Sequence, residues 1–349
     1  MNRRDLRTVV RKLSADARPS QQKAALLILT GLFKEANPDT AAAIVAAGAI
    51  SKVIHLLGLG YHSRLQHNAA AVLYLLVRRN AEYAPAIAAA GAIPALVKLL
   101  APGSGDEVQS NAAGVLASLA KNADNAVTIA AAGAIPPLVD LLRPDSDPLP
   151  QQNALGALVL LSSNATNNAV IASAAACAIP LLVHLLGPDS TADMKANAAA
   201  ALASLARDAE NAATIAASGA ISSLVQLLVH ASLTTVPKNA AWAMCQLSQD
   251  DDIAVTIAAA GAIPSLVLLL GADSPAEVQE GAAAALASLS CAGDDIAGAV
   301  VSAGAIPALV RLLGSHGADS VVSRSIHALG KCSDEIRAAI DAAVMSQLN

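Results

Sequence analysis

The chain has 349 residues, more than one compact core usually holds, so it is expected to split into domains or to repeat. Hydrophobic residues make up 55%, charged residues 14% and aromatic residues only 1%, so the core must be built from Ala, Leu, Val and Ile. A net charge of −5, with no concentrated basic surface and few stacking rings, excludes nucleic acid as the expected partner.

The opening segment MNRRDLRTVVRKL is charged throughout, and no secretory leader is expected there. Arg3, Arg4, Arg7, Arg11 and Lys12 alternate with Leu6, Val9, Val10 and Leu13, which predicts a capping helix with a solvated basic face. Residues 1–36 read as the last two helices of an incomplete unit.

The string Gly-Ala-Ile-Pro/Ser begins at Gly48, Gly91, Gly133, Gly219, Gly261 and Gly304, with a degenerate copy at Cys177-Ala178-Ile179-Pro180. The intervals are 43, 42, 44, 42, 42 and 43 residues, and this regularity predicts a repeat array. Seven units run over about 39–79, 82–121, 124–164, 167–207, 210–248, 252–291 and 294–332. Residues 334–349 are expected to form a closing helix, because the end of an array otherwise exposes an apolar face. The whole of 1–349 reads as one solenoid.

Each unit is predicted to hold three helices. In the stretch Asn125 to Gly133, Asn125 is placed to cap a short first helix and Gly133 to end it. The second helix carries Pro in its first turn and a buried stripe such as Ile93, Leu96, Val97 and Leu100. The third is longer, as in Glu107 to Ala120. A turn of 100° per residue groups Ala112, Leu116 and Leu119 on one side, and Asn111, Gly114 and Ser118 about 130° away, facing outward. The fourth unit departs from the pattern. Cys177 replaces the turn glycine, Asn167-Asn168 suggests an extra residue, and Pro148-Leu149-Pro150 delays the preceding third helix, so a local irregularity in pitch is expected.

The period near 42, the short–long–long triplet, the phrase AGAIPxLVxLL and the phrase xVQxNAAxxLxxLA together resemble the armadillo repeat family. The pattern is most similar to plant U-box proteins and to cytosolic or vacuolar armadillo scaffolds. The resemblance implies an all-α, right-handed superhelical solenoid whose third helices line a concave groove that binds extended protein segments. It also implies a scaffold or adaptor rather than an enzyme. Two alternatives stand beside that reading, the substrate-recognition region of a U-box ubiquitin ligase and a nuclear-import adaptor. A monomer in the cytoplasm, with the nucleus as a further compartment, is expected.

The outward positions of the third helices are the candidate groove. The first holds Lys23, Asn68, Asn111, Asn153, Asn197, Asn239, Gly281 and Arg324. Five successive asparagines can clamp a peptide backbone, since an amide both donates and accepts. The second holds Leu26, Ala71, Gly114, Gly156, Ala200, Trp242, Ala284 and His327. The third holds Thr30, Leu75, Ser118, Leu160, Ser204, Gln246, Ser288 and Lys331. Only Trp242 is similar to the tryptophan ladder of importin-α-type receptors, and no acid occupies these positions, which argues against a nuclear-localisation-signal receptor. An outward Trp is a candidate hot spot. With Lys238, Arg324, His327 and Lys331 near it, the expected partner segment is acidic.

Other chemistries are not expected. The seven histidines show no HExxH or paired Cys spacing, and no GxSxG elbow or Walker loop occurs, so neither a metal nor a cofactor is predicted. Asp250-Asp251-Asp252 and Asp294-Asp295 precede first helices and read as caps rather than calcium ligands. Cys177, Cys245, Cys291 and Cys332 are widely spaced and fit reduced thiols. The uncharged stretches 153–186 and 253–272 fall in register with the repeat and are interrupted by polar residues or by Gly261 and Pro264, so no membrane insertion is expected.

Overall fold

A computed structural model describes residues 3–34, 38–58, 60–229, 234–316, 321–332 and 334–348, and every regular element among them is helical. Contacts divide the chain into two compact units, Met1–Ala174 and Ala175–Asn349.

The first unit begins with helices Arg3–Arg11 and Pro19–Lys34. The triplet Pro38–Ala46, Ala49–His55 and Ser63–Arg79 follows. The next is Tyr83–Ala89, Ala92–Lys98 and Asp106–Leu119, and then Ala123–Ala131, Ile135–Asp140 and Pro148–Ser162. In the second unit the triplets are Ala209–Ala217, Ala220–Leu228 and Thr235–Leu247; Asp251–Ala259, Ala262–Leu269 and Ala276–Ser290; and Asp294–Ser302, Ala305–His316 and Val321–Cys332. Asp334–Leu348 closes it.

Glycine makes the corners between first and second helices. Gly48, Gly91, Gly133, Gly219, Gly261 and Gly304 all sit at φ between +74° and +82°, a left-handed conformation in which a β-carbon is strained. The helices on either side of Gly261 meet at 83°, so the apolar stretch 253–272 turns a near-right-angle corner rather than running straight. Among the described residues no single helix is long and apolar enough to cross a membrane, although three such bent pairs are apolar enough taken together.

Cys177 shows what happens without the glycine. Among the described residues no non-glycine has positive φ, and one helix, Asn168–His184, runs through the position with Pro180 inside it. The fourth unit therefore has two long helices, this one and Ala192–Leu205, where three were expected. Nor do the prolines before it delay the preceding third helix: Pro148 and Pro150 lie in its first turn, where a missing N–H costs nothing.

The caps follow side-chain chemistry. Asp250 Oδ1 accepts from the Ile253 N–H at 3.0 Å, and Asp208 does the same for Asn211. Asn122, not Asn125, caps Ala123–Ala131; Asn125 lies inside the first turn, donating its amide to the Leu119 carbonyl.

A row of buried glutamines fixes second helices to third. Gln66, Gln109 and Gln151 each donate to two carbonyls just past a second helix, Leu57 and Gly58, Leu100 and Ala101, and Leu142 and Arg143. These bonds satisfy orphan helix-end carbonyls inside the core. Gln279 bonds the Gly271 carbonyl at 2.7 Å in the same way.

Candidate binding face on the third helices

Within each unit the third helices lie side by side. Pro19–Lys34, Ser63–Arg79, Asp106–Leu119 and Pro148–Ser162 pack in sequence in the first; Ala192–Leu205, Thr235–Leu247, Ala276–Ser290 and Val321–Cys332 do so in the second. Packing on flanks and back buries most of each helix. What stays partly exposed includes Asn68, Ala71 and Leu75; Asn111 and Ser118; Asn153, Gly156 and Leu160; Asn197, Ala200 and Ser204; and Asn239, Trp242 and Gln246. Spacings of three and four keep these residues on one helical face.

The asparagines are not equivalent. Asn153 donates its amide N–H to the Ser110 carbonyl and hydroxyl at 3.0 and 2.9 Å. Asn239 donates to the Ala196 carbonyl at 2.8 Å, and Asn111 to Nδ1 of His67 at 3.3 Å. In all three the acceptor belongs to the residue just before the first outward position of the preceding third helix. These asparagines are rungs between neighbouring repeats, and Oδ1 is the atom they leave free to accept. The side chains of Asn68 and Asn197 make no hydrogen bond among the described residues and offer whole amides. Ser118 and Ser204 donate to the carbonyls of Gly114 and Ala200 on their own helices, so their oxygens are left as acceptors.

Aromatic rings fill the places where glycine replaces a larger residue. A β-carbon on Gly114 would stand 2.6 Å from Cε2 of Tyr74, so the Tyr74 ring lies over Gly114 and buries it. The Arg78 guanidinium sits 5.5 Å above that ring. In the second unit Trp242 lies against Gly281, with Cδ1 and Nε1 3.3 Å from where a β-carbon would stand.

Beside Trp242 is a hollow of about 490 Å³, lined by Cys245, Gln249, Asp251, Ala284, Ser288 and Ser325 among others. Gln249 donates to Ser288 Oγ at 2.6 Å and to the Cys245 carbonyl at 3.1 Å, which fixes one wall. Neither the Trp242 N–H nor the buried Ser325 hydroxyl has a partner among the described residues. Burial pushes the Cys245 thiol up to about 11.

The basic character expected here is reduced. Lys238 pairs with Glu277 of the next third helix at 2.7 Å, and the ammonium holds the Glu277 carboxyl below its ordinary value. His327 is exposed, while the side chains of Arg324 and Lys331 lie outside the described residues. Cys291 is held in a disulfide, contrary to the expectation of four reduced thiols; Cys177 and Cys245 are free. Among the described residues no three His, Cys, Asp or Glu side chains converge to hold a metal ion.

Residues 80–121, 122–163 and 250–291 match the model of the Armadillo/beta-catenin-like repeat. A designed armadillo repeat protein is 30% identical, with a TM-score of 0.61 over 69% of this chain and 99% of that one. The chain belongs to the armadillo-repeat family. An engineered protein of known crystal structure aligns over 98% of this chain and 92% of its own, at 28% identity and a TM-score of 0.68. A designed armadillo repeat protein in complex with the peptide (KR)4 is 29% identical, with a TM-score of 0.59 over 69% and 98% of the two chains. A comparison with curated protein sequences found no match.

The armadillo register corrects the first third helix. Gln22 is 1% exposed and takes the buried-glutamine place, and Leu26 is 0% exposed. The outward stripe is therefore Ala24, Leu27 and Gly31, one residue on from Lys23, Leu26 and Thr30. Gly114, expected outward, is covered by Tyr74. The glutamine row does have a sequence signal, a Gln two residues before Asn68, Asn111 and Asn153.

Proposed function

We propose that this armadillo-repeat chain is a protein-binding scaffold that holds extended partner segments against its third helices. The carrying observation is Trp242. The chain's one tryptophan is half-buried, its N–H lacks a partner among the described residues, and it borders a 490 Å³ hollow. Such a ring is a costly surface feature unless a partner covers it, and tryptophan is enriched at interface centres. The free amides of Asn68 and Asn197, and Oδ1 of Asn153 and Asn239, supply backbone-directed polar contacts on the same helical faces. The complex of a designed armadillo relative with the peptide (KR)4 supports recognition of a peptide. With Lys238 paired to Glu277, the preference for an acidic segment rests on the exposed His327 and on the undescribed Arg324 and Lys331.

Peptide-display selection tests this on the wild type and on a variant carrying Asn197→Arg and Trp242→Ala. Peptides enriched on the wild type and lost on the variant are expected, and their charge decides the acidic preference. Peptides binding both chains equally would move recognition away from these helices.

A further inference from the structure

Two neighbours converge on one nitrogen of His67. The Asn111 amide N–H lies 3.3 Å from Nδ1, and Glu107 Oε2 lies 3.6 Å from the same atom. The first contact needs a lone pair on Nδ1 and the second needs a proton there, so they cannot both be made. We infer that His67 is a positioning residue for Asn111, latching its amide when neutral and releasing it to pair with Glu107 when protonated.

In the neutral ring the proton sits on Nε2 and Nδ1 accepts from Asn111. This fixes the amide with Oδ1 turned outward, as the Ser110 and Ala196 acceptors do for Asn153 and Asn239. Protonation puts an N–H on Nδ1. Donor then faces donor across 3.3 Å, while a carboxylate stands within reach on the other side. The pair that results has a fixed counterpart. Glu107 and Glu277 both lie four residues before the first outward position of their helix, and His67 and Lys238 both lie one residue before theirs. In the second unit the cation is a lysine, already paired at 2.7 Å, and Gly281 leaves no amide to latch. In the first unit it is an imidazole, the side-chain type that can either accept at a bare ring nitrogen or, protonated, stand as a cation.

Other titratable and charged groups stand on the same helix and on those packed around it. The His67 side chain is 31% exposed and that of Glu107 83%. Asp106 precedes Glu107 on the same helix, Arg64 lies one turn before His67 on its own, and Lys23 holds the equivalent position on Pro19–Lys34. From Ala49–His55, Lys52 donates to the Val10 carbonyl, and His55 stacks edge-on to Tyr61.

The latch stands on this geometry alone; its consequence for peptides rests on the proposed binding face. A fixed amide costs less to order on binding than a loose one, so affinity for segments crossing Asn111 should fall about 3–10-fold from pH 8 to pH 5.5.

The test is side-chain NMR of the full ¹⁵N-labelled chain between pH 8 and pH 5, following the His67 ring nitrogens and the Asn111 amide. Both are expected to change with a common midpoint. Glu107→Gln should lower that midpoint, and His67→Gln should leave the Asn111 signals independent of pH. An Asn111 amide that stays flat while His67 titrates would overturn the latch. The second arm measures display-selected peptides at pH 8 and pH 5.5 on wild type and His67→Gln, with the pH effect expected only on the wild type. Coupled titration in a chain that binds no peptide would sink the proposed function and leave the latch standing.

Discussion

Trp242 packs its indole edge on Gly281, the first outward position of the next third helix, where the asparagine row stops. The two residues are coupled by space: a side chain at 281 needs the volume that the ring fills. Restoring the row with Gly281→Asn should therefore push the indole out toward solvent. As this is the only tryptophan, its emission reports the change directly, and a red shift with weaker peptide binding is expected. Unchanged emission would mean the ring is not seated against that glycine.

Gly114 and Gly156 occupy the same repeat position on adjacent third helices but have different neighbours. Nothing lies within 4 Å of a β-carbon built on Gly156, so Gly156→Ala should stabilise the chain by about 0.5–1 kcal/mol through helix propensity. At Gly114 the same change meets the Tyr74 ring at 2.6 Å and should destabilise by about 1–2 kcal/mol despite the propensity gain. Urea unfolding of the two variants should move in opposite directions. A gain at both positions would show that Tyr74 swings away at no cost.

The repeat, the corners and the outward face were legible because each is a local rule repeated. Glycine at Gly91 or Gly261 marks a left-handed corner, and a 3.6-residue period groups Asn111 with Ser118 whatever the neighbours do. The same rule applied to Cys177 announces a missing corner, although not that two helices fuse into one. What stayed hidden depends on residues about one repeat apart. Nothing in the sequence pairs Lys238 with Glu277, or spends the Asn153 amide on Ser110 rather than on a partner. The slip in the first third helix has a simpler cause. Gln21 and Gln22 are adjacent, and only burial shows which of them occupies the glutamine place.

The two kinds of asparagine should separate in experiment. Asn239→Ala removes a rung to Ala196, so it should lower stability by about 1 kcal/mol as well as weaken peptide binding. Asn197→Ala breaks no bond among the described residues and should leave the unfolding midpoint in place while peptide affinity falls. If both variants lose stability equally, the distinction between rungs and free amides is wrong.

Cys245 and Cys177 should differ sharply toward alkylating agents. Cys177 is exposed on the helix that lacks a corner, whereas the buried Cys245 thiol is pushed up to about 11. At pH 8 a thiol with that value is ionised to roughly one part in a thousand, and the thiolate is the reactive form. Native-state labelling at pH 8 followed by peptide mapping should modify Cys177 and spare Cys245 until the chain unfolds. The same burial has a consequence for stability. Well below pH 9 the Cys245 thiol is protonated in both folded and unfolded chains and adds no pH dependence. Above it the unfolded chain releases the proton first, so the unfolded state gains and stability falls as pH rises from about 9 to about 11. Cys245→Ala should flatten that part of the curve when unfolding midpoints are measured across this range. An equal slope in the variant would assign the alkaline loss to other groups.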